Sequence, residues 1–294
     1  MNRQFHETDP PRLGHSLLTL RSDPILARMR RFTFIGLAAL LASMAFFQVI
    51  KNGFSQDWRA ASRASAGLAP DPATTAEAVV QVYAARAVRW RGYFGVHTWI
   101  SAKRANAPSY QVYEVIGWRL FRGDSALVNS ERPPDGRWFG AEPELLRELR
   151  GDGVDQVIDR IELAIQEYPY AQEYTVWPGP NSNTFTAFVA RRVPELRLDL
   201  PPTAIGKDYI GPKLFAAAPS GSGFQVSLFG LFGLTLAMEE GLELNVLGLS
   251  FGIDAAEPAL KLPMIGRLGS DAIPLRALAS TPAAATPLTR TDPE

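Results

Sequence analysis

The sequence contains no cysteine. Disulfides, thiolate metal sites, thiol catalysis and a lipid attached through an N-terminal cysteine are thereby excluded. Histidine is scarce too: only His6, His15 and His97 occur, so imidazole chemistry in the body of the chain rests on His97. Net charge is absent, with 30 Lys+Arg against 30 Asp+Glu, and nothing global recommends nucleic acid as a partner. No internal repeat is visible. What is present is apolar: hydrophobic residues make up 46% and charged ones 20% of 294 residues. That excludes a disordered or collagen-like chain and suffices for a buried core.

One long uncharged run stands out, Phe32 to Ile50, flanked by Arg31 and Lys51. Its 19 residues reach roughly 28 Å as a helix, close to the hydrocarbon thickness of a bilayer. The run therefore reads as a transmembrane helix. Five arginines lie in residues 12–31, against Lys51, Arg59 and Arg63 in the 20 residues after the run. The more basic flank stays in the cytoplasm, so residues 1–31 form a cytoplasmic segment and the remainder lies outside. In a Gram-negative bacterium this is a single-pass inner-membrane protein with a periplasmic domain and membrane lipid as a partner. Cleavage after Ala45 is the alternative, but the run exceeds an ordinary signal core. Leu214–Met238 is also uncharged, yet Gly and Ser break it, and it fits a buried hairpin or a lipid-facing lip better than a second span.

Residues 51–70 read as a polar, alanine-rich stalk, 71–270 as an exterior α+β domain, and 271–294 as a disordered tail rich in Pro, Ala and Thr. Three runs dense in Val, Ile, Tyr, Trp and Phe (79–87, 92–103, 110–121) predict an antiparallel meander. Helices are expected over 142–150, with Pro143 in the first turn, and over 154–168, with Asp152 as cap and Pro169 as stop. Another is expected over 184–193, before Pro194. Residues 224–237 and 242–253 flank a turn at Glu239-Glu240-Gly241, a predicted hairpin. Charge is segregated: residues 86–122 hold seven bases and Glu114 alone, whereas 139–173 hold nine acids and three bases. These are either two solvated faces or a basic edge suited to anionic headgroups.

Several motifs fail. Gly206-Lys207 is followed by Asp208 where a P-loop needs Ser or Thr. The serines of Ser220-Gly221-Ser222-Gly223 lack the flanking glycines of a nucleophile elbow. No spacing suggests a metal site and no motif implies a cofactor. Two residues carry a sharper reading. Ser182, in PGPNSNTF ahead of a predicted helix, is either an N-cap or a nucleophile favoured by the helix N-terminus. His97, in the strand-like run FGVHTWI, is either a satisfied core histidine or the base that such a nucleophile requires. In the second case the ring lies within hydrogen-bond reach of the Ser182 hydroxyl. Glu114, embedded in VYEVIGW, needs a partner if buried, either His97 or an arginine.

The phrases VVQVYAARAVRWRGYFGVHTWI, YEVIGW, YPYAQEYTVWPGPNSNTFTAFVARRVPEL and LPPTAIGKDY resemble an uncharacterised bacterial family, domain of unknown function 3750, over roughly residues 68–270. The order of elements is also similar to circularly permuted papain-like proteins such as relatives of lecithin:retinol acyltransferase. That similarity implies His97 as base, Glu114 as orienting residue and Ser182 in the nucleophile's place, with Asn181 and Asn183 as flanking binding residues. Serine stands where that family carries cysteine, and its hydroxyl is a far weaker acid. Two functions follow: a membrane-anchored hydrolase or acyltransferase acting on an acylated or peptide envelope substrate, or a non-catalytic binding or scaffold protein retaining a papain-like cleft.

Overall fold

The computed structural model describes residues 58–269 and the backbone of 276–278. The apolar run Phe32–Ile50 lies outside the described residues. Among the described residues no helix is long and apolar enough to cross a membrane.

The architecture is α+β: two antiparallel sheets and a pair of helices. The first sheet is built from β1 (Val79–Arg86), β2 (Val96–Lys103), β3 (Gln111–Val115), β4 (Leu127–Ser130) and β5 (Pro143–Arg150). Its order is β5-β1-β2-β3-β4, so the predicted meander is its centre. The run 110–121 is shorter as a strand than expected, because Gly117–Arg122 closes into a 3-10 turn. Two helices, α1 (Val154–Gln166) and α2 (Ser182–Arg192), follow.

Alternation along β2 sends its residues to two buried faces. Ile100 and Ala102 pack with Ile158 and Ile161 of α1 and Phe185 and Val189 of α2. Trp99 faces the other way, onto Tyr83, Val112 and Trp138. Side chains buried to this extent contribute about 1.5–3 kcal/mol each.

Four expectations are corrected. Residues 143–150 form strand β5, not a helix, pairing antiparallel with β1 from Val79↔Arg150 to Ala85↔Pro143. The Leu-Glu-Arg composition favours a helix locally, but β1 would then expose an unpaired edge, and strand pairing wins. Pro143 is tolerated as the first strand residue. Gly153, at φ 82°, occupies the N-cap of α1 in place of Asp152. The supposed stalk is docked from its later half onward: Ser65 Oγ and the N–H groups of Leu68 and Ala69 all donate to Asp135 Oδ2, at 2.9, 2.6 and 3.1 Å. Within the tail, Arg276–Leu278 adds a parallel strand beside β5.

The second sheet, a seven-stranded antiparallel meander, comprises Phe215–Ala217 (β6), Gly223–Leu228 (β7), Phe232–Ala237 (β8), Gly241–Val246 (β9), Leu249–Asp254 (β10), Ala259–Leu262 (β11) and Gly266–Gly269 (β12). The predicted turn at 239–241 does join β8 to β9, but each flanking run is itself a hairpin, so four strands replace two. This sheet is inside out. Its inner face carries Gln225, Thr235, Glu243 and Lys261, all buried. Its outer face carries the cross-strand row Phe224–Leu236–Leu242–Ile253–Leu260–Leu268, all exposed.

Charge pairing makes the polar inside tenable. Lys261 Nζ donates to Asp199 Oδ2 at 2.7 Å and Glu243 Oε1 at 3.0 Å, and Lys207 donates to Glu243 Oε2. Asp208 accepts from Gln225, from Asn245 Nδ2 at 2.7 Å and from Ser250 Oγ at 3.2 Å. Gly206-Lys207-Asp208, no phosphate loop, is the peg that fixes this sheet to the rest of the domain.

Candidate functional site

His97, Glu114 and Arg132 meet on the tryptophan-bearing face of the first sheet. His97 and Glu114 project from β2 and β3 on the same side as Trp99 and Val112, as alternation requires. His97 Nε2 donates to Glu114 Oε2 at 2.9 Å. Arg132 reaches the same carboxylate from the loop after β4, with Nε to Oε1 at 2.9 Å and an Nη to Oε2 at 3.3 Å. The imidazole is 5% exposed and stacks on Trp138, with ring centroids 3.7 Å apart and planes 14° apart. The Arg132 guanidinium lies 4.8 Å from the Trp99 ring centroid, a cation–π contact that holds its fork towards Glu114.

Burial lowers the His97 pKa, outweighing the opposing pull of Glu114. The ring is therefore neutral, with its Nε2–H committed to the carboxylate. Burial alone would raise Glu114, but the His97 hydrogen bond and the Arg132 guanidinium overcome it and bring the carboxyl down to about 2. Both groups consequently take up protons more readily in the unfolded chain. Stability should fall as pH drops below about 6.5, where unfolded histidine titrates, and again below the ordinary glutamate range. His97 is the only histidine among the described residues. Its removal should flatten the first of these windows: denaturant midpoints of the full chain at pH 7.5 and 5.5 should differ clearly for the wild type and much less for His97→Gln. Equal slopes would mean that His97 titrates normally in the fold.

Ser182 is on the other side of the sheet. Its neighbour in space on β2 is Thr98, whose hydroxyl contacts the Ser182 carbonyl at 3.4 Å, Asn183 Oδ1 at 3.0 Å and Thr186 Oγ1 at 2.9 Å. Thr98 points to the helix face and His97 away from it, so the pairing expected between the His97 ring and the Ser182 hydroxyl is not formed. Ser182 is itself 3% exposed.

Nor is Ser182 the cap. Asn181 is the N-cap, accepting from the N–H groups of Asn183 and Thr184 at 2.9 and 3.1 Å, in a capping box with Thr184. Asn181 Nδ2 donates to the carbonyls of Val176 and Ile205, and Asn183 Nδ2 to those of Val96 and Ile205. The chain at Ile205-Gly206 can approach this closely because Gly206 has φ +98°. A Cβ there would sit 2.3 Å from the Asn181 side chain. Both asparagines, expected as binding residues, thus tie α2 to β2 and to the 205–206 turn.

The residues brought together are therefore His97 and Glu114; Ser182, Asn181 and Asn183 form a separate capping cluster. Arg132 and Trp138 escaped sequence reasoning. Arg132 lies outside the basic run 86–122, 18 residues beyond its partner, and no local pattern marks a contact made by a loop folding back over a sheet. Among the described residues, no group of three His, Asp or Glu side chains is arranged to hold a metal ion.

Comparison with known proteins finds one family. Residues 77–209 match the model described as protein of unknown function, DUF3750. The match is narrower than the resemblance read over 68–270: it runs from just before β1 through both helices to Tyr209, and the inside-out sheet lies beyond it. No curated protein and no solved structure matches the chain, and the similarity to permuted papain-like proteins gains no support from them. Over residues 77–209 this chain is accordingly similar to the family of unknown function DUF3750.

Proposed function

We propose that this chain is a membrane-anchored envelope protein whose domain works by binding or scaffolding, not by Ser-His catalysis. The carrying observation is the orientation of His97 away from Ser182, with its Nε2 occupied by Glu114 and its ring stacked on Trp138. A general base must reach the proton it removes, and a sheet stands between these two groups. The anchor in this reading is the run Phe32–Ile50, with the N-terminus cytoplasmic and the domain periplasmic at a bacterial inner membrane. The partners are membrane lipid and an acylated or peptide component of the envelope.

The test is labelling of the full chain with a serine-directed fluorophosphonate, comparing wild type with Ser182→Ala. No labelling dependent on Ser182 is expected. Labelling present in the wild type and lost in Ser182→Ala would overturn the reading and restore the hydrolase or acyltransferase alternative.

A further inference from the structure

We infer that the outer face of the seven-stranded sheet lies against a lipid membrane, with the arginine- and tryptophan-bearing end of the domain meeting anionic headgroups beside it. This rests on the membrane anchoring proposed above and adds which surface of the domain is in contact.

The face itself is the first observation. A second cross-strand row, Phe215–Val226–Leu234–Leu244–Phe251, runs alongside the one already described. Every outward position of β7 to β10 is apolar, and none offers a hydrogen-bonding side chain. Leu244, at the centre, is 50% exposed. Continuous apolar surface of this extent is rare on a domain bathed only in water. A protein partner calls for polar complement around an apolar centre. A lipid surface calls for none.

The turns at one end are the second observation. The β7–β8, β9–β10 and β11–β12 connections all fall at the same end of the meander. At their tips Phe229, Leu247 and Met264 hold φ values of 51°, 53° and 66°. Glycine or asparagine would fit that left-handed region without the strain an apolar side chain incurs there. Three bulky apolar residues persist in it instead, two of them about half exposed.

Charge is the third. Arg86 donates to the carbonyls of Met264 and Ile265, which places the basic end of the first sheet beside those tips. Trp177 lies there too, donating to the Leu247 carbonyl at 2.8 Å. The 3-10 turns 89–93 and 117–122, at that end of β1, β2 and β3, add exposed Arg89, Arg91 and Arg122, and Phe121 is 92% exposed. Two bases of the run are engaged elsewhere: Arg104 pairs with Asp159 and Glu162 of α1, both at 2.8 Å, and Lys103 is buried against the carbonyls of Glu77 and Arg104. Arginine beside Trp and Phe is the composition of a membrane interface.

Reach is the fourth. Seven residues separate Ile50 from Trp58, so a bilayer holding the apolar run has the domain within roughly 25 Å. Six-residue strands are about 20 Å long, short of the roughly 9–11 residues a spanning strand needs. The face therefore rests in one leaflet.

The absence of cysteine makes the test direct. A single cysteine placed at Leu244, in the full chain, is labelled with an environment-sensitive fluorophore, and the chain is reconstituted into vesicles of phosphatidylcholine and phosphatidylglycerol bearing an acyl-chain nitroxide. Leu234→Cys is a second reporter on the same face and Asp159→Cys, on α1, the control. Loss of most of the emission at positions 244 and 234, with little loss at 159, is expected, and weaker quenching on phosphatidylcholine alone. Reporters at 244 and 234 open to aqueous iodide on vesicles that carry the chain would overturn this proposal alone. Shielding from both quenchers, with disulfide cross-linking between copies through position 244, would assign the face to a second copy and overturn it. Equal quenching on neutral lipid would overturn the headgroup contact. Failure of the chain to float with vesicles would overturn the anchoring itself, whatever the outcome of the serine labelling.

Discussion

Replacing Glu243 with glutamine should destabilise the domain by about 4 kcal/mol or more, the largest single effect expected. Glu243 sits in the middle of β9 on the buried face of the inside-out sheet and accepts from both Lys207 and Lys261. Those ammonium groups are each 1% exposed. Lys261 would retain Asp199 at 2.7 Å and the Glu240 carbonyl at 2.8 Å. Lys207 would lose its hydrogen-bonded carboxylate while remaining sealed. Removing one member of a buried pair typically costs about 3–5 kcal/mol, because the remaining charge stays desolvated. Here one carboxylate serves two cations, so the upper part of that range applies. Lys207→Met combined with Glu243→Gln should recover part of the loss, since no stranded ammonium is left at that position. Denaturant unfolding of the full chain measures both. A Glu243→Gln variant within about 0.5 kcal/mol of wild type, the range of an ordinary surface substitution, would mean that water reaches this face.

The second large effect is at Glu114. Glu114→Gln keeps the shape and removes the charge that both Arg132 and His97 use. Arg132 is itself partly exposed, with 24% of its side-chain surface reached by solvent, so its loss is screened and the lower end of the buried-pair range, about 3 kcal/mol, applies. For a domain of this size that corresponds to a fall in Tm of roughly 6–12 °C. The acid-dependent loss of stability below the glutamate range should shrink in the same variant, because the Glu114 share of it is gone while the depressed carboxyls of Glu243 and Asp254 remain. Thermal unfolding followed by near-UV circular dichroism would register the fall and the loosening of the Trp99–Trp138 cluster together. An unchanged Tm would make Glu114 dispensable to the fold and return it to a functional role.

Local signals in the sequence were strong wherever periodicity and a breaker agreed. Residues 154–166 are helical because Val157, Ile158 and Ile161 recur on one face, and 182–192 because an Asn cap opens the helix and Pro194 follows it. The strands at 79–86, 96–103 and 111–115 follow from β-branched and aromatic density. Residues 143–150 misled because helix propensity is a local quantity, whereas an unpaired β1 edge is a property of the assembled sheet. The candidate site was half legible. A lone acid in an apolar strand calls for a partner, and Glu114 has two, but the arginine comes from a loop that sequence spacing does not connect to it.

By itself the sequence determined the composition of each strand face, the stops of the helices, and the apolar run ahead of the domain. Period-two alternation even separates His97 from Thr98. Which of the two would meet α2 was decided only by how the helices pack, and with it the separation of His97 from Ser182. The inside-out sheet shows the same division. Alternation over 223–254 assigns apolar residues to one face and polar residues to the other, but it is indifferent to which face turns inward. That choice was made by Lys207, Asp208 and Asp199, distant in sequence from the strands they engage, whose charges are satisfied only if the polar face is buried.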